Sequence, residues 1–370
     1  MAKSNNTYQP KNPTSKPTKV KNKAKSKPKN EVKSTEKREK KENVFVRFLK
    51  YFFPWPGDKA GEVIRKILMI VVIGAFVASS FMVVSWLKRN YETHDAGIKQ
   101  INVYENEEPT EEELKALPPG YLPEFAKFYS INQDVVGWIS VPDTTINYTV
   151  AQAQNNTFYL DHNFDKKYHQ NGWPFADANN TIKQGYLDDN TIIYAHNLRA
   201  NLMFQNLVNF KRLDYYKSRP VVTFDTVYEK SKWKIFGVFI ANSNTKDGRV
   251  FDYHKFFNAD DDAHFMRYVR EVKRRSIIET NVDVKASDKL LTLSTCTYEI
   301  DDGRFVVVAR KVRPGESASV DVGGSSLNPN PLYPDAWYRK FGGVKPTYND
   351  AIPWGSGRGG SVHGNINYAE

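Results

Sequence analysis

The sequence predicts a mainly β (α+β) fold, a closed or nearly closed β-barrel with peripheral helices, preceded by one transmembrane helix. Three observations lead to this prediction. Short β-branched and aromatic runs separated by Asn, Asp and Gly begin at residue 136. A helical stretch with acids in its first turn and bases in its last lies at 260–275. A run of 21 uncharged, mostly apolar residues lies at 67–87.

Positive charge is concentrated at the N-terminus. The first 50 residues contain 16 of the 53 lysines and arginines but 4 of the 42 acidic residues, so the rest of the chain is nearly neutral. The basic pI therefore belongs to the tail, and no nucleic-acid partner is indicated. Residues 1–43 are rich in Lys, Asn, Pro, Ser and Thr, and we expect a disordered cytoplasmic tail because they cannot bury enough apolar surface.

The apolar run 67–87 predicts a transmembrane signal-anchor helix. It is long enough to span a bilayer core, and basic pairs bracket it at 65–66 and 88–89. It is longer than the apolar part of a cleavable signal peptide and no small-residue cleavage pattern closes it. The basic tail before it predicts a cytoplasmic N-terminus, so the remainder is expected outside the cell membrane.

The residues on either side of the apolar run are expected to be connecting segments. Aromatic and basic residues alternate at the start of 44–66, which favours a segment on the membrane surface or a plain juxtamembrane linker. Residues 88–122 read as an extracytoplasmic spacer, helical at 105–116. A short helix is expected at 124–129.

Seven strand-like runs follow within the domain at 123–312. They lie at 136–141, 145–150, 191–195, 220–226, 233–241, 290–295 and 304–312. The helix at 260–275 should place Phe265, Tyr268 and Val269 on one face. The tail 313–370, which holds 10 of the 21 glycines, is expected to be irregular or disordered.

The protein has one cysteine, Cys296, between the last two strand-like runs. A lone cysteine is most often a small buried hydrophobic residue. An exported domain with one cysteine cannot form an internal disulfide, however, which leaves intermolecular pairing or a reactive nucleophile. If the two strands pair, Cys296 and Arg304 lie at their joined ends and can face one cleft.

The string TLSTC, followed eight residues later by Arg304, resembles the sortase signature, and further segments resemble class B. Residues 191–210 (TIIYAHNLRANLMFQNLVNF) are similar to the family segment in which a strand delivers a histidine, here His196, and a helix carries a Met-Phe pair, here Met203 and Phe204. INYTVAQ at 146–152 resembles an early strand of the family. TLSTCTYE is closest to the clostridial type of the class B pattern.

The resemblance implies a closed eight-stranded sortase barrel, in which a helix between the sixth and seventh strands marks class B. The helix at 260–275 occupies that place. Two departures stand out: Ala195 replaces the usual glycine before the histidine, and Thr297 replaces the acid that some members carry after the cysteine. Glu299 is the nearest acid, and we assign it no role.

The resemblance implies a catalytic trio of Cys296, His196 and Arg304. The thiolate is the nucleophile, and an ordinary thiol is mostly protonated at pH 7, so nearby cations assist it. His196 would transfer protons to the departing amine and from the incoming one. Arg304, with a backbone N–H beside Cys296, would hold the substrate carbonyl and the oxyanion. Ser294, Thr295, Tyr298 and Asn197 are the expected substrate-binding residues.

The resemblance further implies a membrane-anchored cysteine transpeptidase of a Gram-positive-type cell surface, with no cofactor. It would cleave a surface-protein sorting signal, Asn-Pro-x-Thr or a related Thr-Gly motif, and pass the acyl group to a peptidoglycan amine or to a pilin lysine. A catalytically idle sortase-like binding domain and a merely hydrolysing thiol protease are the alternatives. Metal binding is not indicated, because one Cys and scattered His form no ligand-spaced cluster.

Overall fold

Eight strands close into a barrel in the computed structural model of the chain, which describes residues 43–348, apart from the side chain of Asp247. In spatial order the barrel runs β1-β2-β3-β4-β7-β8-β6-β5 and closes from β5 back to β1. The strands are β1 (Val135–Ser140), β2 (Asn147–Ala151), β3 (Phe175–Ala176), β4 (Asn190–Tyr194), β5 (Val221–Thr226), β6 (Lys232–Asn242), β7 (Leu290–Cys296) and β8 (Gly303–Lys311).

The strand directions bring three chain segments to one end of this barrel. β7 runs parallel to β4, so the carboxyl ends of both strands lie at the same end. β8 is antiparallel to β7 and therefore begins where β7 finishes. The residue that ends β7, the segment that follows β4 and the first residues of β8 thus meet at one rim.

All seven predicted strand runs are strands, and the closed eight-stranded barrel is confirmed. The eighth strand, β3, is two residues long and pairs with β4 through Phe175 and Ala176. A strand this short has no period to detect. The helix expected at Met203 and Phe204 is wrong in detail, because Met203 ends a two-residue strand and the following 3₁₀ helix is Gln205–Lys211.

The described residues contain seven α-helices. They are α1 (Val44–Phe52), α2 (Ala60–Asn106), α3 (Glu111–Ala116), α4 (Ala126–Ile131), α5 (Leu213–Ser218), α6 (Asp262–Arg275) and α7 (Asp335–Phe341). Shorter 3₁₀ helices lie at Pro123–Phe125, Phe158–Leu160, Thr245–Asp247 and Tyr253–Lys255, and two-residue strand pairs at Ile182–Lys183 with Tyr186–Leu187, Asn197–Leu198 with Leu202–Met203, and Ile278–Glu279 with Ser326–Leu327.

α6 confirms the helix predicted between the sixth and seventh strands. The side chain of Asp261 caps it by accepting a hydrogen bond from the His264 backbone N–H at 2.7 Å. Its buried face joins a cluster of aromatic and β-branched side chains that includes residues of β6 and β8. Gly237 of β6 permits the close approach, because a Cβ there would lie 2.4 Å from Val272 of α6.

The expected spacer at 88–122 is instead packed on the barrel over much of its length. α2 continues to Asn106, and the ring of Tyr104 stacks on Trp138 at 4.3 Å. The Tyr104 hydroxyl donates to Asp225 at 2.9 Å. Gly97 lies against Tyr148, where an added Cβ would come within 3.1 Å of the ring. These contacts fix the last turns of α2 to strands β1, β2 and β5.

The irregular tail expected at 313–370 is ordered in the part that the structure describes. Ser326–Leu327 pairs with Ile278–Glu279, Leu332 is buried, and α7 follows. The rest of that prediction, at 349–370, and nearly all of the predicted disordered tail at 1–43 lie outside the described residues.

The compact unit that precedes residue 77 contains α1 and the first turns of α2. Aromatic residues of α1, such as Phe45 and Phe48, are exposed. α2 is the one helix in the described part of the chain that is long and apolar enough to cross a membrane, by length and composition alone. Lys66, at the start of the apolar run, is paired with Asp58 at 2.6 Å.

Candidate active site

Cys296 and Arg304 lie directly opposite each other on paired strands. Cys296 is the last residue of β7, and its register partner on β8 is Arg304. Side chains of directly opposed residues in an antiparallel pair point to the same face, with Cβ atoms roughly 4.5–5.5 Å apart. The pairing assumed from the sequence therefore places thiol and guanidinium on one side of the sheet.

His196 reaches the same rim from β4. Ser294 of β7 is in register with Tyr194 of β4, so carrying the register on by two residues brings His196 level with Cys296. The Nε2 atom of His196 lies 2.7 Å from the carbonyl oxygen of Leu160. Because a carbonyl oxygen only accepts hydrogen bonds, Nε2 carries the proton in this arrangement. In neutral imidazole the unprotonated nitrogen is then Nδ1.

The three side chains line one cleft of about 290 Å³. Each of them is partly exposed. Apolar side chains of Leu160 and Phe175 form part of the wall. The cleft thus combines a thiol, an imidazole and a guanidinium with an apolar surface, which suits an extended peptide bearing one reacting carbonyl.

Arg304 has no carboxylate within 4 Å among the residues that the structure describes. Its Nη1 group donates to two backbone carbonyl oxygens of its own loop, those of Asp302 at 3.3 Å and Gly303 at 3.1 Å. Carbonyl groups orient the guanidinium without neutralising it. The positive charge therefore stays available to an anion that forms in the cleft.

The four expected substrate-binding residues divide into two pairs. Ser294 and Thr295 line the cleft, but their hydroxyls are engaged with Tyr253 at 2.8 Å and with the Ala195 carbonyl at 2.7 Å. Asn197 and Tyr298 lie outside the cleft lining. Asn197 donates to the Cys296 carbonyl at 2.8 Å, and Tyr298 donates to the Asn197 carbonyl at 3.0 Å. A direct contact of these residues with substrate stays a prediction.

The contacts beside Cys296 correct one expectation, show where the Glu299 carboxylate is bound and account for the departure at Ala195. The backbone N–H of Thr297 already donates to Gly303 at 3.0 Å, so it is not a ready oxyanion donor. The carboxylate of Glu299 is paired with Lys211 at 2.8 Å rather than directed to the thiol. Ala195 is accommodated in extended pairing, since its N–H donates to Ser294.

Among the cleft residues that escaped the sequence reasoning are three with titratable side chains. Tyr194, Tyr253 and His254 line the cleft, the latter two on a 3₁₀ helix between β6 and α6. Burial raises the pKa of Tyr253 to about 12, so it is a neutral hydroxyl. Burial lowers the pKa of His254, although the charge of Asp252 opposes the shift. No local sequence motif marks the helix Tyr253–Lys255, because its position at the cleft depends on how the chain between β6 and α6 folds back onto the barrel.

Within residues 43–348 no group of three or more His, Cys, Asp and Glu side chains is arranged to hold a metal ion. Cys296 is a free thiol.

Known proteins share this fold and this segment order. A family model described as "Sortase domain" matches residues 139–312. Sortase B of Staphylococcus aureus is 32% identical over 193 residues, which cover 52% of this chain and 75% of that protein. Sortase B of Listeria monocytogenes is 28% identical over 256 residues, which cover 69% of this chain and 99% of that protein. The crystal structure of sortase B from Bacillus anthracis superposes with a TM-score of 0.52 at 27% identity, covering 61% of this chain and 99% of that one.

These relatives support the class B resemblance that the sequence suggested. The finer likeness to the clostridial type of the TLSTCTYE pattern stays a prediction.

Proposed function

We propose a function from the premise that this chain belongs to the sortase family and is a sortase-type cysteine transpeptidase of class B. It cleaves a sorting signal of the Asn-Pro-x-Thr or a related Thr-Gly type in surface proteins and transfers them to an amine of peptidoglycan. The observation that carries this proposal is the convergence of Cys296, His196 and Arg304 on one cleft.

The first half-reaction forms a thioester. The Cys296 proton passes to His196, and the thiolate Sγ bonds to the carbonyl carbon of the scissile peptide. Negative charge develops on the carbonyl oxygen, where the uncompensated guanidinium of Arg304 stabilises it. The C–N bond then breaks, the electron pair leaves with nitrogen, and His196 returns the proton to the departing amine.

The second half-reaction transfers the acyl group. The acceptor amine attacks the thioester carbon, and His196 takes the proton that the nitrogen loses. The C–S bond breaks and Cys296 leaves as thiolate, which then takes the proton back from the His196 imidazolium, so thiol and imidazole return to their starting protonation. The apolar wall beside the cleft disfavours water as a competing nucleophile.

The location proposed for this reaction is the outer face of the cell membrane. The apolar stretch of α2, the basic residues around it and the exposed aromatic residues of α1 support a single span with a cytoplasmic N-terminus. Protease added to wall-stripped cells should digest the region after Lys88 and spare an N-terminal epitope. Digestion of the N-terminal epitope alone would overturn this topology.

Mass spectrometry of the acyl-enzyme tests the substrate assignment. The protein is incubated with a library of sorting peptides without amine, and the adduct is mapped. We expect a mass increase on the peptide that contains Cys296, equal to the peptide fragment up to the cleaved bond. Enrichment of an unrelated motif would overturn the proposed signal.

Product analysis with added amine separates the possible acceptors. A triglycine-type amine should yield a peptide–amine conjugate in place of free acid. A conjugate formed only with a pilin lysine peptide would favour pilus assembly, and free acid under all conditions would indicate a hydrolase.

A further inference from the structure

Residues 313–348, here called the C-terminal strap, run from one end of the barrel to the other. The strap begins at the end of β8, where Arg313 donates to Asp288 at 2.7 Å. Further on, the N–H of Asn328 donates to Ile277 at 2.8 Å and that of Leu332 donates to Arg274 at 2.9 Å. It reaches the cleft end as α7, where Lys340 Nζ donates to the carbonyl oxygen of Glu299 at 2.6 Å. The strap lies beyond residues 139–312, which the family model matches.

α7 is held by packing as well as by Lys340. Tyr333 and Trp337 stack at 4.2 Å, and both pack against the main hydrophobic core. Asp335, at its start, lies so close to Gly248 that a Cβ on the glycine would be 2.6 Å from the side chain. Gly248 in turn accepts a hydrogen bond at 3.1 Å from Asn242, which lines the cleft.

The loop that α7 contacts joins the nucleophile to the arginine. This β7–β8 loop, residues 297–303, is exposed at Tyr298, Asp301 and Asp302. Contacts from other elements hold it in place: Lys211 binds the Glu299 carboxylate, Lys340 binds the Glu299 carbonyl, and Ser243 donates to the Asp302 carbonyl at 2.6 Å. Of these three contacts, the one from Lys340 comes from the strap.

The same loop orients Arg304. The two carbonyl groups that accept from its guanidinium belong to Asp302 and Gly303. A displacement of the loop backbone would turn these carbonyls and move the guanidinium with them. The Glu299 carbonyl, three residues before Asp302, is the point at which the strap limits such a displacement.

We propose that the C-terminal strap is a positioning element of this enzyme and that Lys340 is the positioning residue through which it holds Arg304 in the cleft. This proposal rests on the role of Arg304 in the proposed function. Lys340 does not line the cleft, so it acts through the β7–β8 loop and not on substrate. The strap makes this chain's catalytic geometry depend on residues outside the matched domain.

Steady-state kinetics of the full chain with a cleavable sorting peptide tests the proposal. Lys340→Ala should lower kcat about twofold to fivefold, the size of a solvent-exposed charged contact, with little change in KM. Lys340→Arg keeps a donor and should restore most of the loss. Lys183→Ala is the control. It removes an exposed lysine from the two-residue strand Ile182–Lys183, which pairs with Tyr186–Leu187, and should leave kcat unchanged.

A double-mutant cycle separates positioning from general stabilisation. If Lys340 acts through Arg304, Lys340→Ala should have almost no further effect on kcat in an Arg304→Lys background. Additive losses, or wild-type kcat for Lys340→Ala, would overturn the strap proposal and leave the proposed function standing. Wild-type kcat for Arg304→Lys alone would overturn the assigned role of Arg304, and the strap proposal with it.

Discussion

Strand β8 carries two arginines in opposite environments. Arg304 near its start is partly exposed, and its guanidinium donates to two backbone carbonyls and to no carboxylate among the described residues. Arg310 near its end is 1% exposed and lies among carboxylates. Its Nη2 group is 2.9 Å from Glu316 and 3.3 Å from Asp283, and Asp288 is 3.9 Å from its Nε.

The difference separates a structural charge from the charge to which we assign a role in the proposed reaction. Carboxylates neutralise the charge of Arg310. Without them, a buried unpaired charge would destabilise the fold. Neutral carbonyls orient Arg304, and no carboxylate in the described part of the chain compensates its charge. The guanidinium would therefore pair with a negative charge when the oxyanion forms in the transition state. An interaction gained only in the transition state lowers the activation barrier and does not stabilise the fold.

The largest effect should come from the residue opposite Arg304. Cys296→Ala removes the proposed nucleophile, and peptide turnover should fall to the uncatalysed rate. Because Cys296 is partly exposed at a strand end, the melting temperature should change little. Turnover is measured by peptide cleavage and folding by thermal denaturation. Turnover clearly above background in the folded variant would remove Cys296 from the mechanism.

His196→Gln should sharpen the contrast between a proton-transferring group and a fixed charge. We expect kcat to fall by roughly 10²–10⁴, because general acid–base catalysis is lost. The limb of the pH–rate profile that belongs to His196 should disappear, while Arg304→Lys should lower the rate and keep that limb. If Arg304→Lys removes this limb of the profile and His196→Gln keeps it, the roles given to His196 and Arg304 are wrong.

A smaller effect is expected at the structural end of β8. Hydrogen bonds from Arg310 and Lys234 hold the pKa of Glu316 well below its ordinary value of 4.5. A lowered pKa in the folded state contributes stability that is fully present above the unfolded pKa and is lost as pH falls below about 4.5. Glu316→Gln should therefore lower the free energy of unfolding at pH 7 by about 1–2 kcal/mol.

Urea unfolding at several pH values checks this prediction. The gap between wild type and Glu316→Gln should narrow below pH ~4.5, where the wild-type carboxylate begins to lose its advantage. Peptide turnover at pH 7 should stay within about twofold of wild type. A gap that is independent of pH would show that the contacts of Glu316 stabilise through packing and not through its charge.

Short sequence patterns predicted the elements whose structure is set by neighbouring residues in the chain. Seven strands and α6 have clear periods, and the TLSTC string with Arg304 marked the hairpin that carries the thiol. β3 was missed because two residues have no period. His254, the Leu160 carbonyl beside His196, and α7 against the β7–β8 loop depend on contacts between distant segments. Lys340 and Glu299, for example, are 41 residues apart in the chain.

The exchange of each arginine for lysine is the most direct test of the account, because it keeps the charge and removes the planar set of donors at both sites. For each variant, kcat is measured with a sorting peptide and the free energy of unfolding by urea denaturation. Arg304→Lys should lower kcat by roughly 10²–10³ and leave stability within about 0.5 kcal/mol. Arg310→Lys should lower stability by about 1–3 kcal/mol and leave kcat within about twofold. Loss of stability without loss of kcat at Arg304 would contradict the account.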